Sequence, residues 1–284
     1  MWLTSGSRYQ CLCLVNRGGR GMRFRILGPV RVRTGGGWVG IAADKQRLLL
    51  AVLLVHAGRT VETDRLADAL WGDRPPRTTA NTLAAYVMRL RRLVGTGVLI
   101  RRNNGYELAV GGDDIDATVF ERLVTTARQR RGLGRDGDAA AKIARALAMW
   151  QGEALADVPA NPSLRAHAAY LEQLRLTAQE DRAAALLDLG RPGEVVNELR
   201  RMVDDSPLRE CRWALLMRAL YGSGLRAEAL ETYRRAWRVL RDELGLEPGP
   251  QLRELQQVLL AGNGSPGRAA VPLNRLRAKG ILSA

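Results

Sequence analysis

The arginines of the segment NTLAAYVMRLRRLV, Asn81 to Val94, are spaced to bind an anion outside the protein. At about 100° per residue, the apolar side chains of this helix form one buried stripe. That stripe consists of Leu83, Val87, Leu90 and Val94. The opposite face carries Thr78, Asn81, Thr82, Ala85, Arg89 and Arg92, flanked by Tyr86 and Met88. No acidic residue lies between Arg77 and Glu107. Arginine in such a face binds guanine edges or phosphates, but a solvated helix face would show the same pattern.

Arg91 falls nearer the buried edge of this helix, where it lies along the core rim or pairs with an acid. The rest of the chain offers little other chemistry. The two histidines, His56 and His167, fall in different predicted domains. The sequence contains no GxSxG or GxxxxGK[ST] motif, and its three cysteines form no metal-ligand set and no even disulfide framework. We therefore expect no enzymatic activity, no metal, no cofactor and a reducing cytoplasmic location.

The positive charge is unevenly distributed along the chain. Of the formal net charge of +15, residues 22–112 hold +9 and residues 113–262 hold −1, by counting the printed sequence. Residues 1–21 and 263–284 add +3 and +4. No apolar run approaches the roughly 18 residues of a membrane span. The sequence thus predicts a polyanion-binding domain over 22–112, a neutral domain over 113–262, a flexible extension over 1–21 and a basic disordered tail over 263–284. Either Met1 or Met22 is the true start.

The pattern around the arginine helix predicts the elements that position it. Alternating residues after Arg23 indicate short antiparallel strands. Asp44 is a good N-cap for a first helix that ends at Gly58, and Thr63 or Asp64 caps a second. Val61 fits one short strand rung between them. Thr78 or Thr79 caps the arginine helix, and Asn103-Asn104-Gly105 marks a hairpin after it.

This order of small sheet, three helices and hairpin is typical of a winged helix-turn-helix, whose third helix enters the major groove. The hairpin, or wing, carries Arg101, Arg102 and Asn103 towards the DNA. Lys45 and Arg47 lie in the first turn of the first helix, where a bound phosphate would offset their unfavourable position in the helix dipole. We therefore favour DNA binding for the arginine face.

The segments DKQRLLLAVLL, VETDRLADALWGDRPP, NTLAAYVMRLRR and RRNNGYEL resemble the OmpR-type DNA-binding domain of the Streptomyces antibiotic regulatory protein family. The resemblance implies that Arg89 reads a base and that Arg92 contacts phosphate. It places Arg102 near the minor groove and Asn81, Thr82 and Tyr86 at the DNA backbone, with Thr79 and Ala85 on the same surface. It also implies that the loop from Trp71 to Thr79, with Asp73, Arg74 and Arg77, faces RNA polymerase. Trp71 itself is more simply a core anchor.

After Asp113-Asp114 the pattern is almost wholly helical. Residues repeat at a spacing of 34, which is the tetratricopeptide period. The matched positions are Leu186 and Leu220, Gly190 and Gly224, Glu194 and Glu228, and Arg200-Arg201 and Arg234-Arg235. An earlier segment, GDAAAKIARALAMW, is similar to the second helix of a degenerate repeat. The predicted fold class is mainly α with a small β component: a winged helix-turn-helix followed by a tetratricopeptide-like domain.

The closing DELGLEPGPQLRELQQVLL is similar to the bacterial transcriptional activator domain of the same family. The resemblance implies a small-form activator of an antibiotic gene cluster, without ATPase or receiver domain. It would bind promoter DNA at direct repeats near the −35 element as a homodimer or as side-by-side protomers. It would recruit RNA polymerase through sigma region 4 and act at the nucleoid, away from membranes. The alternative is a tetratricopeptide scaffold tethered nonspecifically to nucleic acid.

Overall fold

The computed structural model describes residues 22–261. The predictions for the extension, the tail and the start codon lie outside these residues. The chain divides into two compact units. Within the described residues, the first holds 22–121 and the segment Met149–Glu172, and the second holds Arg122–Ala148 and 173–261. Among the described residues, no helix is both long and apolar enough to cross a membrane.

The first unit contains the predicted winged helix-turn-helix. Its strands and helices are β1 (Phe24–Arg25), β2 (Arg31–Thr34), β3 (Gly37–Gly40), α1 (Asp44–Val55), β4 (Thr60–Glu62), α2 (Thr63–Trp71), α3 (Thr79–Val94), β5 (Leu99–Arg102) and β6 (Gly105–Leu108). Strands β1, β2 and β3 form one antiparallel sheet in that order. A second antiparallel sheet has the order β4-β6-β5 and pairs Val61 with Tyr106. The predicted order of elements, including the strand rung at Val61, is confirmed.

Helix α1 lies at the centre of the first unit and buries every residue from Leu48 to Leu54. Its start differs from the prediction, because Asp44 is the first helical residue and Ala43 occupies the cap position without a side-chain bond. The helix also ends early, at Val55. Gly58 follows in a left-handed conformation (φ 75°) and donates its N–H to the carbonyl of Leu108. Gly58 thus turns the chain towards β6 three residues after the helix ends.

Helix α3 buries the predicted stripe of Leu83, Val87, Leu90 and Val94. Each of these side chains gains about 1.5–3 kcal/mol by leaving water. Their burial fixes the rotation of the helix about its axis, so the opposite face must point outward. The buried stripe thus determines which arginines are available to a partner.

The first unit extends past the charge boundary at Gly112. Helix α4 (Asp116–Gly132) begins with Asp116, whose buried carboxylate accepts backbone N–H bonds from Ile26 (2.8 Å) and Leu27 (3.1 Å). The segment Met149–Glu172 bonds to the same stretch, because the N–H of Gln151 donates to the carbonyl of Leu27 at 2.7 Å. These hydrogen bonds join residues about 90 to 125 positions apart, so they place Asp116 and Gln151 in the first unit. The distribution of charge along the sequence gives no sign of them.

The second unit is helical. Besides the later part of α4 and of α6 (Pro162–Asp188), it contains α5 (Asp136–Leu147), α7 (Val196–Asp205), α8 (Glu210–Gly222), α9 (Arg226–Leu244) and α10 (Pro250–Ala261). Short 3-10 turns lie at Gly112–Asp114 in the first unit and Pro192–Glu194 in the second. The core of the second unit is built on Trp213, Leu216 and Leu220 of α8 and on the alanines near the end of α6.

The 34-residue repeat appears as a repeated turn between helices. Gly190 and Gly224 both adopt left-handed φ values, 72° and 81°. In each turn the glycine N–H donates three residues back and the next N–H donates five residues back, to Leu186 or Leu220. Gly134, after α4, repeats this pattern with φ 71°. The matched glycines therefore end the first helix of each pair, and α4, the first helix of the degenerate repeat, ends in the same way.

The matched glutamates do not make equivalent contacts. Glu194 pairs with Arg191 within its own turn, whereas Glu228 pairs with Arg200 of the preceding repeat at 2.6 Å. Glu180 differs from these two exposed glutamates. That residue is buried and binds Arg212, whose side chain is 1% exposed, at 3.0 Å.

Candidate nucleic-acid interface

The outward face of α3 presents two free cations. Arg89 and Arg92 are exposed, and no described residue makes a hydrogen bond or ion pair with either guanidinium. They are three residues apart, so their side chains are neighbours on the helix surface. Asn81 and Ala85 are also exposed on this helix. The predicted face therefore exists as a cationic surface with small and polar neighbours.

Arg91 lies between these two arginines in sequence but does not belong to their surface. Its Nε donates to the carbonyl of Leu99 at 2.8 Å. Of the two roles considered from the sequence, the structure shows the core-rim role. The bond connects α3 to β5, the first strand of the wing, and leaves Arg89 and Arg92 as the outward cations of the segment.

The start of α3 has no side-chain cap and no acid in its first turn. The hydroxyl of Thr79 donates to the carbonyl of Pro76 at 2.6 Å, and that of Thr82 donates to the carbonyl of Thr78 at 3.0 Å. Both hydroxyl protons are thus used within the protein. The first amide groups of the helix remain free to bind an anion, which is the usual property of a helix N-terminus.

Tyr86 is half-buried, and its ring stacks against Trp71 with centroids 6.2 Å apart and planes at 28°. Trp71 is the last residue of α2, so the stack packs the end of α2 against the middle of α3. After it, Gly72 turns the chain with φ 54°. Asp73, Arg74 and Arg77 of the following loop are exposed, as a partner-binding loop would require.

The wing is a tight hairpin in which Arg102 pairs with Gly105 across the turn at Asn103 and Asn104. Arg102 is not free, because its Nε binds the Glu107 carboxylate at 3.0 Å. Arg101 is exposed and has no acidic partner among residues 22–261; its guanidinium lies 5.9 Å from the ring centroid of Tyr106. Arg101 is therefore the more available cation of the wing.

The glycine of the hairpin is required for a reason that the sequence does not reveal. Asn103, with φ 30°, takes the unusual turn conformation, while Gly105 lies in β6. A Cβ at Gly105 would lie 2.3 Å from the carbonyl oxygen of Val61. Glycine is needed here because β4 approaches closely, and not because the turn requires a positive φ.

A contact that sequence analysis missed anchors the wing. The carbonyl of Asn104 accepts the backbone N–H of Thr63 at 2.9 Å and its hydroxyl at 2.6 Å. Thr63 is the first residue of α2, for which the sequence predicts only a capping role. The two residues are 41 positions apart, so no local pattern indicates the contact.

The predicted phosphate contacts of α1 are not supported by the structure. The ammonium group of Lys45 donates to the carbonyl of Leu70. Arg47 is largely enclosed and donates to the carbonyls of Ile41 (2.6 Å) and Asp157 as well as to the Asp44 carboxylate. Arg47 is therefore committed to internal acceptors, whereas the exposed Lys45 uses one of its three ammonium N–H donors internally, so its contact with phosphate stays a prediction.

Both histidines lie in the first compact unit. Burial, and then the charge of His56, lower the pKa of His167. The ring Nδ1 of His56 lies 2.9 Å from the carbonyl of Val52, at the end of α1. Within residues 22–261, no group of three or more His, Cys, Asp and Glu side chains is arranged to hold a metal ion.

Two protein families match this chain. The family described as "Bacterial transcriptional activator domain" matches residues 115–260, and "Transcriptional regulatory protein, C terminal" matches residues 42–108. The solved structure of Mycobacterium tuberculosis EmbR in complex with a low affinity phosphopeptide superposes with a TM-score of 0.82 at 30% identity. The superposition covers 91% of this chain and 69% of that one.

Curated relatives show the same similarity. The transcriptional regulator RedD of Streptomyces coelicolor is 37% identical, over 87% of this chain and 73% of its own. The regulatory protein DnrI of Streptomyces peucetius is 33% identical, over 84% of this chain and 92% of its own. The regulatory protein AfsR of Streptomyces griseus is 38% identical over 88% of this chain, which matches only 26% of that longer protein. The similarity extends over both compact units.

Proposed function

The chain belongs to the Streptomyces antibiotic regulatory protein family of transcriptional regulators, and on that premise we propose that it is a sequence-specific DNA-binding activator. We propose further that it controls an antibiotic gene cluster from the nucleoid. It would bind direct repeats near the −35 element and recruit RNA polymerase. The observation that carries the proposal is the pair of unpaired arginines on the outward face of α3.

Helix α3 is the proposed reader of the major groove. Arg89 is assigned to a guanine edge, to which arginine donates two hydrogen bonds, and Arg92 to a phosphate. Asn81, Thr82, Ala85 and Tyr86 would line the same groove and backbone. Since the first turn of α3 carries no acid and no cap, its amide groups suit a second phosphate near Thr79. The hairpin would lie beside the duplex with Arg101, Arg102 and Asn103 towards it.

The loop after α2 is the proposed polymerase contact. Asp73, Arg74 and Arg77 are exposed on this loop. The stacking of Trp71 on Tyr86 holds the start of the loop against α3. The helical repeats of the second unit would supply contacts between protomers or to polymerase. The alternative, a repeat scaffold held nonspecifically on nucleic acid, would use the same positive charge without base reading.

Equilibrium binding of the full chain to labelled duplexes tests the proposal. Fluorescence anisotropy with a promoter fragment and a base-shuffled fragment, at several potassium concentrations, separates specific from electrostatic binding. We expect the promoter fragment to bind at least roughly 10³-fold more tightly at physiological salt. Equal affinity for the two fragments at every salt concentration would instead support the scaffold.

A further inference from the structure

The sheet formed by β1, β2 and β3 has an open side at β3. The N–H of Arg33 donates to the carbonyl of Arg23, so the main-chain groups of Arg33 face β1. Because successive residues of a strand direct these groups to opposite sides, Val32 and Thr34 face β3. The β3 residues opposite Val32 and Thr34 therefore bond to β2, and the alternate residues of β3 face the open side.

The residues opposite Val32 and Thr34 are Val39 and Gly37, which use their main-chain groups to bond β2. Trp38 and Gly40 consequently direct their N–H and C=O groups away from the sheet. No described residue hydrogen-bonds to those groups. The strand also lacks the lysine, proline or inward charge that usually prevents an edge from pairing.

One face of this sheet is strongly cationic. Arg25 lies opposite Arg31, and Arg33 lies opposite Trp38, in the strand register. Since opposite residues, and residues two apart, share a face, the three arginines and the tryptophan lie on the same side. The Arg25 guanidinium stacks 3.9 Å from the Trp38 ring centroid, and that of Arg33 lies at 6.0 Å.

A pocket of about 250 Å³ opens beside this edge. Its lining residues are Arg25, Leu27, Pro29, Arg31, Trp38 and Gln151. Two acids lie near the site: Asp157 binds Arg31 at 3.1 Å and accepts the N–H of Val30 at 2.7 Å, and the buried Asp116 interacts with the charge of Arg25. Neither Arg25 nor Arg33 makes an ion pair within the described part of the chain. The pocket is thus suited to an anionic side chain.

We propose that the open side of β3 and the arginines beside it, named here the β3 edge site, bind an acidic extended segment of a partner protein as an added strand. The free N–H and C=O groups of Trp38 and Gly40 would pair with the main chain of that segment. Every second side chain of an added strand faces the arginines, and carboxylates there would meet Arg25, Arg31 and Arg33. The side chains between them would cover Val39, which is 41% exposed.

Charge and hydrogen bonding argue for this occupant over two others. A second copy of the chain paired through β3 would place the arginines of both copies, on β1 and β2, on one face of a continuous sheet, and the two cationic faces would repel each other. A DNA backbone matches the charge, but phosphate oxygens only accept hydrogen bonds. The carbonyls of Trp38 and Gly40 would then remain without donors. A peptide supplies both donors and acceptors.

The test uses the full chain and short fluorescein-labelled peptides of alternating glutamate and valine. We expect the peptide to bind, a peptide with lysine in place of glutamate not to bind, and N-methylation of the edge-facing amides to abolish binding. The variant Arg25→Gln/Arg33→Gln should weaken binding roughly tenfold, the effect of losing two partly exposed charge pairs. Arg59→Gln, an exposed arginine elsewhere in the first unit, should leave it unchanged.

Three results would overturn the β3 edge site. If the lysine peptide bound as tightly as the glutamate peptide, charge would play no part in binding. If N-methylation of the peptide left binding unchanged, the peptide would bind without pairing as a strand. A loss of DNA affinity in Arg25→Gln/Arg33→Gln, with unchanged peptide binding, would show that the face binds nucleic acid. The peptide comparisons need no protein variant, so they decide the question even if a variant fails to fold.

Discussion

Thr63 and Asn104 join the start of α2 to the turn of the wing. The single carbonyl of Asn104 accepts both the amide and the hydroxyl of Thr63, at 2.9 and 2.6 Å. Helix α2 precedes the proposed recognition helix, and the wing follows it. The contact therefore ties the wing to the helix that leads into the proposed recognition helix.

Thr63→Val should remove the hydroxyl bond while keeping the side-chain shape and the backbone bond. We expect a loss of about 0.5–1.5 kcal/mol in the free energy of unfolding, the net value of one such hydrogen bond. Faster amide hydrogen exchange at Asn104 and Gly105 should accompany it. Urea denaturation and exchange measurements test both effects. Thr60→Val, at an exposed position of β4, is the matched control, and equal behaviour of the two variants would contradict the anchoring role.

Arg89→Ala should weaken binding to the cognate fragment by about 1–3 kcal/mol and affect a shuffled fragment little, as expected for a base contact. Arg92→Ala should weaken binding to both fragments similarly. The slope of log K against log salt concentration should become shallower by about the amount that one phosphate contact contributes. Anisotropy titrations at several salt concentrations measure both. Arg59→Ala serves as the control for loss of charge. If the loss in Arg89→Ala were the same on shuffled DNA, Arg89 would not read bases.

Asp116 predicts a pH dependence of stability. Its burial raises the pKa from 3.8 to about 6, although bonds from the backbone of Ile26, Leu27 and Ala117 and the charge of Arg25 oppose the shift. The folded state therefore holds this proton more tightly than the unfolded state. The contribution of Asp116 to stability is greatest below about pH 4 and falls by about 2–3 kcal/mol as the pH rises through 6.

Asp116→Asn should remove that slope. The asparagine Oδ1 keeps the acceptor used by Ile26 and Ala117, whereas its NH₂ faces the N–H of Leu27. We expect the stability advantage of the wild type to shrink between pH 4.5 and pH 7, measured by urea denaturation at each pH. Asp68→Asn, at an exposed position of α2, should give a curve parallel to the wild type. A parallel curve for Asp116→Asn would contradict the raised pKa.

Glu180 offers a test of the second unit. It accepts bonds from Arg209 (2.7 Å) and from the buried Arg212 (3.0 Å). Glu180→Ala would leave Arg212 buried without its counter-charge, and we expect a loss of about 3–5 kcal/mol in the free energy of unfolding. Glu194→Ala breaks the exposed pair with Arg191 and should cost at most about 1 kcal/mol. Comparable losses in the two variants would show that Arg212 is not held by this charge.

The sequence alone determined the order of elements in the first unit, the outward face of α3 and the period of the repeats. These features follow from residues within a few turns of one another. The stripe of Leu83, Val87, Leu90 and Val94 sets the rotation of α3 whatever else surrounds it. The 34-residue spacing likewise places Gly190 and Gly224 at equivalent helix ends. Local periodicity and backbone preference are sufficient for such features.

Only the tertiary structure decided which charged groups are free. Lys45 and Arg47 looked as available as Arg89, but their acceptors lie on distant segments, up to 110 residues away. Asp116 joined the first unit for the same reason, through the backbone of Ile26. A cation binds whichever acceptor the fold brings within about 3 Å, and buried acceptors require a donor. That proximity is a property of the packed chain and has no counterpart in local sequence.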